Sequence, residues 1–128
     1  MRNLIITTIF ILISNFVFGQ KFARATHYQL GNIDTLTQIV NWDEKVKMEP
    51  TLVSIGSRNL KIHTEKFQQY FFEGPKYELY EVKGYYYESY TAEGKECVIY
   101  LYVEEDGSNY LEIEHQNYII KFSLIDLE

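Results

Sequence analysis

The chain has 128 residues, a formal net charge of -6 and a single cysteine, Cys97. An acidic chain without a stripe of lysine and arginine binds nucleic-acid phosphates and anionic membrane surfaces poorly, which excludes nucleic acid as a partner. One cysteine allows no intrachain disulfide, so a packed core must stabilise the fold.

The N-terminal residues predict export from the cell. Arg2 supplies a positive start, residues 4–13 form a short apolar run, and Gly19 ends the segment with a small residue. This pattern is typical of a secretory signal peptide that is cleaved before Gln20. Ala23-Arg24-Ala25 is a rival cleavage motif, but it lies far from the apolar run. We therefore predict a signal peptide over 1–19 and a single domain over 20–128, located in the periplasm or outside the cell.

The N-terminal residues also predict that the protein is not attached to a membrane. The apolar run of residues 4–13 is too short to span a bilayer well, and no second apolar run follows it. No cysteine follows the run directly, so the lipid-anchored export route is closed. We expect neither a membrane span nor a lipid anchor.

Short segments of alternating or continuous apolar residues recur about every ten residues, and no segment has a helical period. Residues 33–42 can form a short helical turn, or Trp42 can begin a strand. Short, evenly spaced strands predict an all-β fold, an antiparallel up-and-down meander closed into a barrel, with a β-sandwich as the alternative. The predicted strands cover residues 22–30, 43–48, 51–56, 59–65, 67–73, 77–83, 85–91, 96–103, 109–115 and 118–125.

Turn residues predict the register of the last four strands. Residues 92–94 and 105–107 suit three-residue loops that end in glycine, and residues 116–117 suit a two-residue loop. These loops place Leu101 opposite Leu111, and a slip of one residue would turn every side chain to the other face. The predicted inner face consists of Tyr85, Tyr87, Cys97, Ile99, Leu101, Val103, Leu111, Ile113, Tyr118, Ile120, Phe122 and Leu124.

Three tyrosines on this inner face are candidate ligand-binding residues. The hydroxyls of Tyr85, Tyr87 and Tyr118 could supply the few polar groups of a largely apolar pocket for a small apolar ligand. Alternatively, their rings fill the core and their hydroxyls reach the rim of the barrel.

Four tyrosines are predicted on the opposite, outer face. Tyr86, Tyr90, Tyr100 and Tyr102 form a candidate interaction surface, because tyrosine combines an apolar ring with a polar tip. Such a surface could bind a partner protein or a glycan. Alternatively, the four side chains form cross-strand pairs that stabilise the sheet.

Catalytic and metal sites lack a convincing constellation of residues. Cys97 is predicted opposite His115, where a thiol beside an imidazole could act as a nucleophile or ligate a metal. Its apolar neighbours favour a small buried hydrophobe instead. The three histidines have no zinc spacing, and residues 55–58 form no serine nucleophile elbow. We expect a non-enzymatic protein with no catalytic residue, metal or cofactor.

An export signal followed by a tyrosine-rich meander over residues 36–125 resembles the architecture of the lipocalin and fatty-acid-binding superfamily. The Gly-x-Trp signature of that superfamily is absent, although Asn41-Trp42 stands at about the right place. Residues 94–99 and the hairpin up to Phe122 are similar to small uncharacterised exported β proteins of Gram-negative bacteria. The resemblance implies a barrel and transfers no functional residue.

Two function classes follow from these observations. The first is an exported, non-catalytic binding or interaction module that acts through its aromatic outer face. The alternative is a carrier that holds a small apolar ligand among the inner tyrosines.

Overall fold

A computed structural model describes residues 21–127, and within this range the chain forms ten β-strands. The predicted signal peptide and its cleavage site before Gln20 lie outside the described residues. The strands are β1 (Lys21–Ile33), β2 (Val40–Trp42), β3 (Val46–Ile55), β4 (Asn59–Ile62), β5 (Gln68–Phe72), β6 (Tyr77–Glu78), β7 (Lys83–Thr91), β8 (Glu96–Val103), β9 (Asn109–Glu114) and β10 (Tyr118–Ile125).

Eight of these strands close into an antiparallel barrel. Strand β1 pairs with β3 on one side and with β10 on the other, and the remaining strands follow one another around the wall. Strand β2 pairs with the end of β1, and β6 pairs with β7. The predicted all-β meander is confirmed, and the barrel replaces the sandwich alternative. This architecture is compatible with a lipocalin-like fold.

The predicted register of strands β7 to β10 is confirmed. Leu101 lies opposite both Tyr85 and Leu111, and Ile113 lies opposite both Ile99 and Ile120. Two of the three connecting loops contain a glycine with positive φ, Gly94 at 85° and Gly107 at 88°. Glycine adopts this conformation without steric cost, which lets the loops be short and fixes the pairing on either side.

The strands near the middle of the chain differ from the predicted ones. Residues 43–48 and 51–56 do not form two strands, because β3 runs through Pro50 from Val46 to Ile55. Pro50 lies where the pairing of β3 with β1 shifts register, so its missing N–H removes no ladder hydrogen bond to β1. The predicted strand over 77–83 is reduced to the two residues of β6.

The helical alternative for residues 33–42 is wrong. The Asp34 carboxylate accepts hydrogen bonds from the N–H groups of Leu36 and Thr37, which bends the chain into a turn. These two hydrogen bonds hold the pKa of the exposed Asp34 carboxyl below its usual value. Strand β2 follows the turn and ends at Trp42, so the tryptophan closes a strand and does not begin one.

The middle of the barrel is occupied by its own aliphatic side chains, and Ile99 and Leu111 have no solvent exposure. Of the predicted inner face, Tyr87, Leu101 and Ile120 are partly buried and pack against this core. Tyr118 differs from the other predicted inner residues, since it is the first residue of β10 and 45% of its surface is exposed. The buried core cluster contains Ala23, Ala25, Val53, Ile55, Leu60, Ile62, Tyr70, Cys97, Ile99, Leu111, Ile113, Phe122 and Leu124.

Candidate binding surface on the barrel exterior

Five tyrosines lie together on the outside of strands β6 to β9, and we call them the tyrosine face: Tyr77, Tyr86, Tyr100, Tyr102 and Tyr110. Ring centroids are 5.1 Å apart for Tyr77 and Tyr86 and 6.0 Å apart for Tyr86 and Tyr100. The rings of Tyr102 and Tyr110 are 5.5 Å apart. These separations are typical of interacting aromatic pairs. The sheet register therefore builds a band of aromatic rings across neighbouring strands.

Two glutamates on β9 accept hydrogen bonds from this face. The Tyr100 hydroxyl donates to Glu114 Oε2 at 2.8 Å, and the Tyr102 hydroxyl donates to Glu112 Oε2. Both bonds run diagonally between β8 and β9, within reach of long side chains. Burial raises the pKa of both tyrosine hydroxyls, and the hydrogen bonds to the carboxylates raise it further. The hydroxyls therefore stay protonated at neutral pH and keep donating to the glutamates.

The ammonium group of Lys121 lies close to three aromatic rings, two of them on the tyrosine face. Lys121 Nζ lies 4.2 Å from the ring centroid of Tyr110, 5.9 Å from that of Tyr102 and 5.8 Å from that of Trp42. Distances below about 6 Å allow an ammonium group to interact with an aromatic ring. Trp42 reaches this position because β2 pairs with β1 at Gly31, where a side chain would collide with the tryptophan ring.

A groove of about 500 Å³ borders the tyrosine face, between the loop after β6 and the outer sides of β8 and β9. Tyr100 and Tyr102 form its aromatic floor, and the fully exposed Tyr80 stands at its edge. Its apolar lining includes Leu79, Val82 and Ile119, and its carboxylates come from Glu81, Glu112 and Glu114. Pockets of about 300–1,000 Å³ commonly accommodate small ligands or side chains.

Tyr90 lies apart from the other predicted outer tyrosines. Its ring stacks on Phe71 of β5, with centroids 5.5 Å apart. The structure therefore brings Tyr86, Tyr100 and Tyr102 together, whereas Tyr90 forms a separate pair toward the other end of β7.

The three predicted inner tyrosines do not share one pocket. Tyr85 lies beneath Lys76, whose Nζ is 4.2 Å from the ring centroid. Tyr87 stacks on Phe72 with centroids 3.9 Å apart, and burial raises the pKa of its hydroxyl. Tyr118 stacks on His115 at 4.4 Å.

An open cavity of about 1,040 Å³ lies at the end of the barrel where Tyr118 and His115 meet. It also reaches the buried residues Ser89 and Cys97, and Lys95 lies on its rim. Burial lowers the pKa of His115, and the charge of Lys95 lowers it further. The neutral imidazole can therefore pack against an uncharged ring at neutral pH.

Cys97 is buried among apolar side chains, and desolvation raises the pKa of its thiol to about 11. The thiolate is the reactive form, so a pKa about two units above the ordinary value of 9.0 lowers its population about a hundredfold. We expect Cys97 to resist a thiol reagent such as dithionitrobenzoate in the native protein and to react fully in urea. Rapid reaction of the native thiol would contradict this expectation and would make Cys97 a candidate nucleophile.

Among residues 21–127, no group of three or more histidine, cysteine, aspartate or glutamate side chains is arranged to hold a metal ion.

No helix in this described part of the chain is long and apolar enough to cross a membrane.

Sequence reasoning missed several residues of this surface. Tyr110 could have been found, because the predicted register already placed it opposite Tyr102. Trp42 and the wall of the groove at residues 79–82 gave no such signal, since their positions depend on pairings outside the C-terminal hairpins.

Comparison with protein-family models, with curated proteins and with solved structures finds no match.

Proposed function

We propose that this protein is an exported, non-catalytic binding module with a lipocalin-like barrel, and that it acts through the tyrosine face and the adjoining groove. The observation that carries the proposal is the two adjacent groups of tyrosine rings, Tyr77, Tyr86 and Tyr100 beside Tyr102 and Tyr110, on the outside of a barrel whose middle is occupied by its own side chains. Export by the signal peptide would bring this surface to partners in the periplasm or outside the cell.

The composition of the surface supports recognition by contact. Tyrosine is enriched at protein interfaces because its ring loses little conformational entropy and its hydroxyl tolerates water. Here Tyr100 and Tyr102 are held by hydrogen bonds to Glu114 and Glu112, so their rings are already ordered before a partner arrives. Ordering before binding lowers the entropic cost of association.

The test compares two exposed sets of tyrosines. The mature protein, its Tyr77→Ser/Tyr80→Ser variant and its Tyr90→Ser variant are applied to glycan and peptide arrays. All three side chains are exposed, but Tyr77 belongs to the tyrosine face and Tyr80 to the groove, whereas Tyr90 lies outside both, so its variant is the control. We expect the array signals to fall for the double variant and to persist for Tyr90→Ser. Signals that are equal in all three proteins would refute the proposal.

A second candidate function is the carriage of a small molecule at the end of the barrel. The open cavity beside Tyr118 and His115 favours it, and this site uses only one of the three predicted inner tyrosines. Native mass spectrometry of the mature protein from its producing cell tests this candidate. An excess mass that disappears on denaturation, and is absent from a Tyr118→Ser variant, would support a carrier. A bare mass for both proteins would oppose it.

A further inference from the structure

We infer that the groove beside the tyrosine face accepts a lysine or arginine side chain from a peptide segment of a partner protein. This inference rests on the proposed function and specifies the chemistry of its ligand.

The charge of the groove favours a cation. Glu81, Glu112 and Glu114 line it, and no lysine or arginine is among its lining residues in the described part of the chain. A positive group entering the groove would meet three carboxylates, against one nearby cation of the chain, Lys121, which stands opposite Glu112 on β10. Bonds of this kind between an ionised donor and a carboxylate are about twice as strong as bonds between neutral groups.

The hydrogen bonding of the groove also favours a donor. The hydroxyls of Tyr100 and Tyr102 already donate their protons to Glu114 and Glu112. Each of these bonds uses Oε2, so the second oxygen of each carboxylate can accept from a ligand. Ammonium and guanidinium groups carry donors and no acceptor, which matches this arrangement. A neutral sugar would bring acceptors as well as donors.

Aromatic and aliphatic surfaces complete the fit. Leu79, Val82 and Ile119 can pack against the alkyl stem of a long basic side chain. The neighbouring rings already hold a cation of the chain itself, since Lys121 Nζ lies 4.2 Å from the ring centroid of Tyr110 and 5.9 Å from that of Tyr102. A ligand cation above Tyr100 would repeat this internal contact.

The experiment measures the affinity of the mature protein for a short peptide of alternating arginine and glycine. A peptide with glutamine in place of arginine is its matched control. Glu112→Gln and Glu114→Gln remove the charge but keep an oxygen that can accept the tyrosine hydroxyl. We expect the arginine peptide to bind more tightly than the glutamine peptide. Each substitution should weaken its binding about fivefold, and added salt should weaken it further.

Glu105→Gln is the matched protein control, because Glu105 is exposed in the loop between β8 and β9 and does not line the groove. It removes the same charge from the chain and should leave the affinity unchanged. Equal binding of both peptides, or equal losses in all three variants, would overturn the inference.

Binding of a neutral glucose oligosaccharide, measured beside the arginine peptide, distinguishes a wrong ligand class from a surface that binds nothing. If the oligosaccharide binds in a manner that depends on Tyr77 and Tyr80, and the arginine peptide does not bind, the surface recognises a glycan and only the inference fails. If no ligand on the peptide or glycan arrays depends on these tyrosines, the proposed function fails with it.

Discussion

Replacing Leu111 with alanine is expected to lower the free energy of unfolding by about 2–5 kcal/mol. Leu111 lies in β9, has no solvent exposure, and stands opposite Leu101 on one side and Phe122 on the other. The alanine would leave a cavity that neighbouring strands cannot collapse to fill, because the barrel closes on itself. Urea unfolding of the protein, followed by circular dichroism, measures the loss.

Leu52→Ala provides the matched control for this experiment. Leu52 lies in β3 and is 43% exposed, so the same change removes much less buried surface. We expect it to lower the free energy of unfolding by less than about 1 kcal/mol. Equal losses for the two variants would contradict the assignment of Leu111 to the centre of the core.

The C-terminal half of the barrel could be predicted because its strand pairings are set by short loops and by the alternation of neighbouring residues. Short loops with Gly94 and Gly107 join consecutive strands, and the alternation of apolar residues selects one register for each pair. A loop of two or three residues leaves a hairpin few alternative pairings. The predicted inner face then follows directly from the loop lengths.

The closure of the barrel could not be predicted in the same way. Strand β1 pairs with β10, about a hundred residues further along the chain, and no loop connects them. The strands predicted over 43–48 and 51–56 form the single strand β3, and Pro50 lies at the register shift inside it. A proline signals only that an N–H group is missing, and a bulge satisfies that condition as well as a turn does.

The candidate site, too, could be predicted from local sequence only in part. Tyr100 and Tyr102 were predicted to share the outer face, because they alternate with inward residues of β8. The position of Tyr90 in a separate pair with Phe71 depends on the pairing of β5 with β7, which was not predicted. The groove likewise needs residues 79–82, which form a turn in place of the predicted strand.

Gly84→Ala is expected to destabilise the barrel and to weaken binding at the groove, because Gly84 in β7 stands opposite Tyr102 and its Cα lies directly against the backbone of β8. A Cβ at this position would collide with the Leu101 carbonyl oxygen and would lie 2.6 Å from Tyr102 Cα. Both are backbone atoms, so the two strands would have to separate. We expect the free energy of unfolding to fall by about 1–3 kcal/mol, as in other overpacked sites.

The same substitution links stability to the proposed site. The Gly84 carbonyl accepts a hydrogen bond of 3.0 Å from the N–H group of Leu79, at the start of the groove wall. Displacing β7 would therefore move that wall away from Tyr102. We expect Gly84→Ala to weaken binding of the arginine peptide at temperatures where the variant is still folded.

Gly74→Ala is the control for both effects. A Cβ on Gly74 meets no atom within 4 Å, and its φ is not positive. The alanine should leave stability unchanged or raise it by up to about 1 kcal/mol, since it restricts the unfolded chain. If Gly84→Ala behaves like Gly74→Ala in urea unfolding and in peptide binding, the close approach of β7 and β8 does not position the groove. A loss of both properties in Gly84→Ala alone would make this glycine the point where the packing of the barrel determines the shape of its binding surface.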